Sequence, residues 1–484
     1  LVRSRGLGDV YKRQLMGHVT PATVNPDSCT WLGCQGINCY DPFGDLYNPN
    51  PKLIMGYTHI NCREKITPGQ GQRIRNSIAE IDVLQACVLP ISDSIIIGTK
   101  SWDSLVSIDG NIVIQTKSKL TITDTVLFLN EGKIIVKPGG KLVVDGGVIT
   151  TNASTLWKGI DVWGIPSISQ YLDSLGRIFQ GQVVLKNGAL IENARTGIFT
   201  GNREMEAIGY LYHGGIVMAS SSEFRNNGTS IHLPPYENFH PVNEEPRSNL
   251  SYVENCDFIL TDSDLSEFDP QFFIRLDGVS GISLTGNHFT NQVSDGNVPE
   301  ITGIQSLNSS FSVDMACDDD LTPCQTYRLS TFENLLYGIK ALGAATAKTF
   351  TVDTAIFTGN ITGIYSSAID NFSVIRSDFS VYNFDWESWG QDFEVSGGIY
   401  IEDECDDFTI EENKFWGPKF PGGPQLRTSV GITFNNTGAT DKELYNNTFQ
   451  NLHTATLAMN VNRDVPGSGL CIRCNHYVNN DYDI

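Results

Sequence analysis

The sequence predicts a mainly β protein, most of which is a right-handed parallel β-helix. Short runs of β-favouring residues alternate with Gly, Asn and Asp breaks, as in the stretch from Lys119 to Thr151. Phrases that combine Asn with Phe recur along the chain, such as GNHF from Gly286 to Phe289. With 484 residues the chain is too long for one compact core, whereas a solenoid can grow along its axis.

A recurring aromatic residue sets the expected coil length. The positions are Phe332, Phe357, Phe379, Phe415, Phe449 and Tyr477. Their spacing predicts a base coil of about 22 to 25 residues, lengthened in places by loop insertions, and about 15 coils in all. Gly-Ile steps such as Gly338-Ile339 follow several of these aromatics and predict the start of the next strand. Asn side chains are expected to form hydrogen-bonded ladders at the turns.

The net charge argues against some classes of binding partner, and the cysteine content indicates the compartment in which the protein folds. A formal net charge of −22 opposes binding to nucleic acid or to anionic lipid. No apolar run approaches the roughly 18 residues that a membrane span requires. Eleven cysteines, including two close pairs, favour disulfides in a secreted or cell-surface protein.

The chain is predicted to fall into three segments. Residues 1–14 are basic, whereas the rest is acidic, and they resemble translated sequencing-adapter sequence from environmental assemblies. We therefore expect this leader to be non-native. Residues 15–91 are rich in Cys and Pro and then favour one helix, from Pro68 to about Leu84. Residues 92–484 form the β-helix, which we expect to be truncated at its C-terminus because no closing cap is evident.

The segment from Asp41 to Arg75, DPFGDLYNPNPKLIMGYTHINCREKITPGQGQRIR, resembles the C-terminal part of the pappalysin-type (M43-like) metzincin zinc peptidases. In this resemblance Ile54 to Tyr57 is the Met-turn, and Thr67 to Gln70 begins the last helix. The resemblance implies a small disulfide-containing metzincin remnant in front of the β-helix.

The metzincin resemblance also implies roles for single residues. Met55 would form the floor beneath a zinc site, and Tyr57 is a candidate transition-state stabiliser. Cys62 would pair with Cys39 or Cys34. No HExxH motif occurs in the 484 residues, so the zinc ligands and the general base are absent. Zinc and a protein or peptide substrate are therefore expected only for a longer parent protein.

A second resemblance concerns the early coils. The stretches from Trp157 to Gly164 and from Gly181 to Ala189 resemble bacterial cell-surface β-helix proteins with pectate-lyase-like repeats. That architecture implies lyases, hydrolases, adhesins or passive stalks, and the fold alone does not choose among them.

Loop insertions are the candidate ligand sites, because turns direct side chains outward. Phe384, Trp386 and Trp389 lie in an acidic loop from Tyr382 to Phe393 and could stack on sugar rings. A second loop, CDDDLTPC, predicts a disulfide between Cys317 and Cys324. Its three acids, Asp318, Asp319 and Asp320, are candidate calcium ligands.

Two classes of function follow from these observations. The leading hypothesis is an inactive fragment of a secreted multi-domain zinc metalloendopeptidase whose β-helix serves as a stalk or ligand-binding module. The alternative is a cell-surface carbohydrate-binding or adhesin β-helix protein, or a polysaccharide lyase or hydrolase with its own carboxylate site.

Overall fold

The chain divides into two compact units, Leu1–Val88 and Leu89–Ile484. The computed structural model describes residues 93–173, 176–208, 211–263, 265, 268–293, 301–319, 323–343, 348–381, 397–417, 429–463 and 467–484, and the backbone of residues 24–25 and 30–31. In the first unit Val24–Asn25 and Thr30–Trp31 pair as antiparallel strands. The predicted metzincin remnant, with its helix and the residues Cys39, Met55, Tyr57 and Cys62, otherwise lies outside the described residues.

The second unit is a parallel β-helix built from three 13-stranded parallel sheets. Each coil contributes one strand to sheet A, then one to sheet B, then one to sheet C. The strands of sheet A are Ser94–Ile96, Ile112–Ile114, Lys133–Val136, Trp157–Val162, Ala194–Phe199, Thr229–Leu233, Phe272–Asp277, Thr302–Leu307, Tyr337–Leu342, Thr362–Ser367, Gly397–Glu402, Val430–Asn435 and Thr454–Met459.

The other two sheets follow the same order along the axis. The strands of sheet B are Thr99–Trp102, Lys119–Ile122, Lys141–Asp145, Gln182–Lys186, Ile216–Ser220, Tyr252–Glu254, Ile282–Thr285, Phe311–Asp314, Phe350–Asp353, Ser373–Ile375, Thr409–Glu411, Lys442–Tyr445 and Leu470–Arg473. The strands of sheet C are Val106–Ile108, Thr125–Phe128, Val148–Thr151, Leu190–Glu192, Glu223–Arg225, Asp257–Leu260, His288–Asn291, Ser330–Glu333, Ala355–Thr358, Asp378–Ser380, Lys414–Trp416, Thr448–Gln450 and His476–Val478.

The three stacked sheets confirm the predicted mainly β, parallel β-helix part of the fold class, although the described residues contain fewer coils than expected. Thirteen coils are present in the described residues instead of about 15, because insertions lengthen many coils beyond the base period. At about 4.8 Å between coils the stack is about 60 Å long.

Ladders of similar side chains fill the interior. In sheet A isoleucines stack in register from Ile231 to Ile432, and each is fully buried. The inner face of sheet C carries a ladder of stacked aromatic rings, with centroids 4.6 to 5.3 Å apart. We call it the aromatic ladder: Phe224, Phe258, Phe289, Phe332, Phe357, Phe379, Phe415, Phe449 and Tyr477. The five predicted recurring phenylalanines are therefore confirmed as core residues, and Tyr477 in the last coil is half-buried and packs against the core.

Asparagine ladders close the corner between sheets B and C. The backbone N–H of Asn413 donates to Oδ1 of Asn447 at 2.9 Å, and that of Asn447 donates to Oδ1 of Asn475 at 2.8 Å. The side-chain Nδ2 of Asn413 also donates to the backbone carbonyl of Val374 at 2.8 Å. These bonds satisfy backbone groups that a tight corner would otherwise leave buried and unpaired, and they confirm the expected ladder.

Two small elements are added to the coils. A 3-10 helix, Arg203–Ile208, follows a sheet A strand. An antiparallel pair, Ala316–Cys317 with Tyr327–Arg328, forms a hairpin between sheets B and C. The predicted Cys317–Cys324 disulfide is present and closes this hairpin.

Candidate functional site

Outward-facing side chains of sheet A form one continuous row. Each follows an inward isoleucine, as Lys340 follows Ile339, because successive strand residues face opposite sides of a sheet. We call these residues the outer row: His232, Arg275, Gln305, Lys340, Tyr365 and Tyr400. With neighbouring coils about 4.8 Å apart, the row extends about 24 Å along the axis.

A cluster of three charged or titratable groups lies at the N-terminal end of the outer row. Nε2 of His232 is 2.8 Å from Oδ2 of Asp277. Nε of Arg275 donates to both oxygens of the same carboxylate, at 3.2 and 2.9 Å. Asp277 ends the strand that carries Arg275 in mid-strand, so that the sheet itself brings the three side chains together.

The environment of Asp277 keeps its carboxyl group ionised. Burial alone would raise the pKa, but the hydrogen bonds from His232 and Arg275 outweigh it, and the pKa lies below its ordinary value. The Arg275 guanidinium also lies 5.8 Å from the centre of the Phe272 ring, a cation–π contact that orients it.

Tyrosines dominate the C-terminal half of the outer row. The rings of Tyr365 and Tyr400 are stacked with centroids 5.6 Å apart, and Tyr337 meets Tyr365 edge-on at 5.7 Å. Nζ of Lys340 lies 4.7 Å from the centre of the Tyr337 ring and 5.6 Å from that of Tyr365. Among the described residues, no carboxylate forms an ion pair with Lys340. The outer face of sheet A thus carries the Lys340 ammonium group between the rings of Tyr337 and Tyr365.

Polar side chains hold the tyrosines in place. The Tyr365 hydroxyl donates to Oε1 of Glu402, and burial together with this carboxylate raises the pKa of the Tyr365 hydroxyl. Nδ2 of Asn435 donates to the Tyr400 hydroxyl at 3.0 Å and to Oε2 of Glu402 at 3.3 Å. The hydroxyl group of each tyrosine is therefore held by a polar side chain of the next coil.

A buried ion cluster lies on the same face, N-terminal to the outer row. Asp161, whose side chain is 1% exposed, accepts hydrogen bonds from Nε of Arg203 at 2.9 Å and from Nζ of Lys133 at 3.3 Å. Lys133 also reaches Glu204 at 2.9 Å, which lowers the pKa of that carboxyl group. Because Arg203 and Glu204 belong to the 3-10 helix, the cluster fastens this helix over sheet A.

Clefts border the sheets in the part of the chain that the structure describes. A cleft of about 550 Å³ lies beside the outer row and is lined in part by Tyr236, Asp277 and Leu307. A larger one of about 850 Å³ lies along the last coils of sheet B. Several charged groups there are paired with each other, such as Arg473 with Glu443. The smaller cleft is therefore the better candidate site, because it adjoins the His232 cluster.

The predicted loop sites have different outcomes. In the disulfide hairpin Asp319 accepts hydrogen bonds through Oδ2 from Gln325 N at 3.0 Å, Thr326 N at 2.6 Å and Thr326 Oγ1 at 2.7 Å. It therefore braces the hairpin. Asp320 and the aromatic loop residues Phe384, Trp386 and Trp389 lie outside the described residues. Calcium binding by Asp318, Asp319 and Asp320 stays a prediction.

Sequence reasoning missed His232, Arg275 and Asp277. Aligning the Gly-Ile steps would have identified the later members of the row, since Gln305, Lys340 and Tyr365 each follow such a step directly. In the earlier coils Ser230 or Phe273 replaces the glycine, so that TSIH and FFIR do not match the repeat by eye.

Comparison with known proteins finds structural similarity without a sequence match. No family model matches the chain, and no curated protein sequence matches it. The structure is similar to the crystal structure of the periplasmic alginate epimerase AlgG, with 11% identity, 86% of this chain and 91% of that chain covered, and a TM-score of 0.39. A double mutant of the same enzyme matches with 9% identity, 78% and 77% coverage, and a TM-score of 0.31. Among the described residues, no helix is long and apolar enough to span a membrane.

Proposed function

We propose that the outer row of sheet A binds a polysaccharide lying along the axis of the β-helix. The observation that carries the proposal is the continuous alignment of aromatic, amide and cationic side chains over six neighbouring coils. A sugar chain presents C–H faces that pack on aromatic rings and hydroxyls that hydrogen-bond to polar groups. A linear polymer that lies along the axis can therefore contact the regularly spaced side chains of the row one after another.

The net charge disfavours nucleic acid as the linear polymer bound by the outer row. A protein of net charge −22 repels the phosphate backbone of nucleic acid. The tyrosines combine an apolar ring with a hydroxyl group, a combination that suits the mixed surface of a sugar.

An exported location fits the same proposal. The Cys317–Cys324 disulfide is typical of a protein that folds in an oxidising compartment. We propose that the chain is secreted or displayed at a cell surface, where polysaccharides are accessible.

The metalloendopeptidase hypothesis rests on residues 15–91, almost all of which lie outside the described residues, and it stays a prediction from the sequence. Sequencing the source DNA across the junction before residue 15 tests it. An in-frame HExxHxxGxxH would support a zinc peptidase parent, and its absence would overturn the hypothesis.

Isothermal titration of the full chain with a glycan panel tests polysaccharide binding. The panel comprises polygalacturonate, alginate, xylan and cello-oligosaccharides. We expect one class to bind, and we expect Tyr365→Ala and Lys340→Ala each to weaken binding about tenfold, which corresponds to about 1.4 kcal/mol.

Tyr252→Ala is the matched control, because Tyr252 is a partly exposed tyrosine on sheet B, away from the outer row. Unchanged affinity in this variant would place the binding on sheet A. Equal weakening by all three substitutions, or no binding by any glycan, would refute the proposal.

A further inference from the structure

The buried ion cluster beneath the 3-10 helix holds an amine and a carboxyl group in a geometry from which they can react. Nζ of Lys133 lies 3.3 Å from Oδ2 of Asp161, and the two side chains are 8% and 1% exposed. The carbon that an amine attacks, Cγ of Asp161, is bonded to that oxygen. Groups fixed at such a separation can react with effective concentrations of about 10⁵ M or more. Lys133 and Asp161 are thus placed for condensation to an amide.

The register of sheet A creates this arrangement. Lys133 lies opposite Gly159 of the next coil, and Asp161 lies two residues further along that strand. Both side chains face away from the core, since each residue adjoins a member of the inward pair Ile134 and Ile160. Because the glycine has no side chain, the lysine can extend across it to the carboxylate.

Two further side chains supply the groups that amide formation requires. Nε of Arg203 donates to Oδ1 of Asp161 at 2.9 Å, and its guanidinium lies 5.7 Å from the centre of the Phe199 ring, which orients it. A fixed donor at this oxygen stabilises the negative charge that develops there when an amine adds to Cγ. Oε1 of Glu204 lies 2.9 Å from Nζ of Lys133, where it can accept a proton.

Burial favours the neutral product over the ion pair. Two charges that leave water lose their hydration, and their mutual attraction restores only part of that loss. An amide carries no charge, and its N–H and C=O groups can keep hydrogen bonds to Glu204 and Arg203. The released water has a route to solvent, because the Glu204 side chain is 68% exposed.

We infer that Lys133 and Asp161 condense spontaneously to an amide that cross-links neighbouring coils of sheet A. One proton of Nζ passes to Oδ2, with Glu204 as the relay, which leaves a neutral amine beside a neutral carboxylic acid. The Nζ lone pair adds to Cγ, Nζ gives a second proton to the Oδ2 hydroxyl, and the Cγ–Oδ2 bond breaks to release water. An ammonium and a carboxylate thus become one amide and one water, so that atoms and charge balance without a co-reactant.

The bond would close a loop between residues 28 positions apart in the chain. A covalent link of this kind restricts the unfolded chain and stabilises the folded coils. It would also fix the outer face of sheet A immediately N-terminal to the outer row.

Intact-mass spectrometry of the full chain, after reduction of its disulfides, tests the inference. We expect a mass lower than that of the sequence by one molecule of water. Proteolytic digestion should yield a branched peptide in which Lys133 is joined to Asp161, identified by tandem mass spectrometry.

Substitutions within the cluster distinguish the amide from a simple ion pair. Asp161→Asn should form the same bond with loss of ammonia instead of water, because the leaving group is then an amine. Lys133→Arg keeps the charge but has no primary amine, and it should keep its full sequence mass. Glu204→Gln should slow formation about 10²-fold, since it removes the proton relay. Circular dichroism checks that each variant folds.

Asp145→Asn is the matched control. Asp145 pairs with Lys186 at 2.7 Å on sheet B, closer than the buried pair, but these side chains are 30% and 40% exposed. Water solvates both groups there, and the lysine remains charged. This variant should therefore lose one water, like the unmodified chain.

The outcomes decide the inference independently of polysaccharide binding. The full sequence mass in the unmodified chain overturns it. A loss of water that persists in Lys133→Arg belongs to another reaction, such as succinimide formation at an Asp-Gly step, and also overturns it. Neither result changes the glycan titrations, which test the outer row separately.

Discussion

The aromatic ladder inside sheet C and the outer row of sheet A are built on the same coils but differ in their side chains. Inside, nine successive coils place a phenylalanine or tyrosine at one position, with rings stacked 4.6 to 5.3 Å apart. Outside, six successive coils carry His, Arg, Gln, Lys, Tyr and Tyr.

The difference shows which constraints the coil repeat imposes. An inner ring must match the size and angle of the rings above and below it, because close-packed interiors tolerate little change in volume. Five of the six outer-row side chains are partly exposed, Tyr400 being the buried one, and their chemistry can change from coil to coil without disturbing the interior stack. Function can therefore vary along the outer row while the fold stays constant.

Truncation inside the aromatic ladder should have the largest effect on stability. Phe357 stacks on Phe332 at 4.7 Å and on Phe379 at 4.6 Å and is 1% exposed. We expect Phe357→Ala to lower the free energy of unfolding by about 3–5 kcal/mol, measured by urea denaturation.

Gln305→Ala, in the outer row, is the control and should change stability by less than about 0.5 kcal/mol. Comparable losses in both variants would contradict the distinction between an inner ladder that supports the fold and an outer row that is free to vary.

A smaller loss of stability is expected when a methyl group is added to a glycine of sheet A that lies against the aromatic ladder. A Cβ on Gly398 would lie 2.6 Å from the carbonyl oxygen of Gly431 and 2.6 Å from the Phe415 ring, whereas on Gly397 the nearest atom would be 3.1 Å away. Overpacking of this kind costs about 1–3 kcal/mol. Thermal unfolding should show a larger loss for Gly398→Ala than for Gly397→Ala, and the reverse order would show that the ladder can shift.

The smallest expected effect is a pH dependence of stability. It arises from His288 on the outer face of sheet C. His288 is 3.6 Å from Asp257 and 3.3 Å from Glu333, and these carboxylates, Asp257 foremost, raise its pKa against the opposing effect of burial. A raised pKa in the folded state stabilises the protein below the ordinary value of 6.5. That contribution is lost as the pH rises through the folded pKa.

Thermal unfolding between about pH 5.5 and 8.5 measures this contribution, since histidine titrates in that range. The melting temperature should fall more with rising pH in the unmodified chain than in His288→Gln. The pKa of Asp257 is lowered, so its own contribution is lost only in acid, below this window. His476→Gln is the control, because His476 is exposed and forms no ion pair among the described residues. Identical pH profiles for the unmodified chain and His288→Gln would exclude the effect.

Predictions from the sequence succeeded where the coil repeat constrains single positions. Phe332, Phe357 and their equivalents were recognisable as core residues because solenoid stacking demands the same side chain in each coil. The Cys317–Cys324 disulfide was recognisable from a separation of seven residues. The number of coils was overestimated, because insertions cannot be told from short coils without the register.

The sequence by itself determined the solenoid, its repeating core residues and the acidic charge that disfavours nucleic acid. These properties depend on local periodicity and composition, which a linear chain displays directly. Only the tertiary structure decided that His232, Arg275 and Asp277 meet. His232 and Asp277 are 45 residues apart in the chain, and a parallel strand pair brings them within 2.8 Å. The intervening loop, and not any periodic pattern, sets that separation, so the site becomes visible only once the register between coils is known.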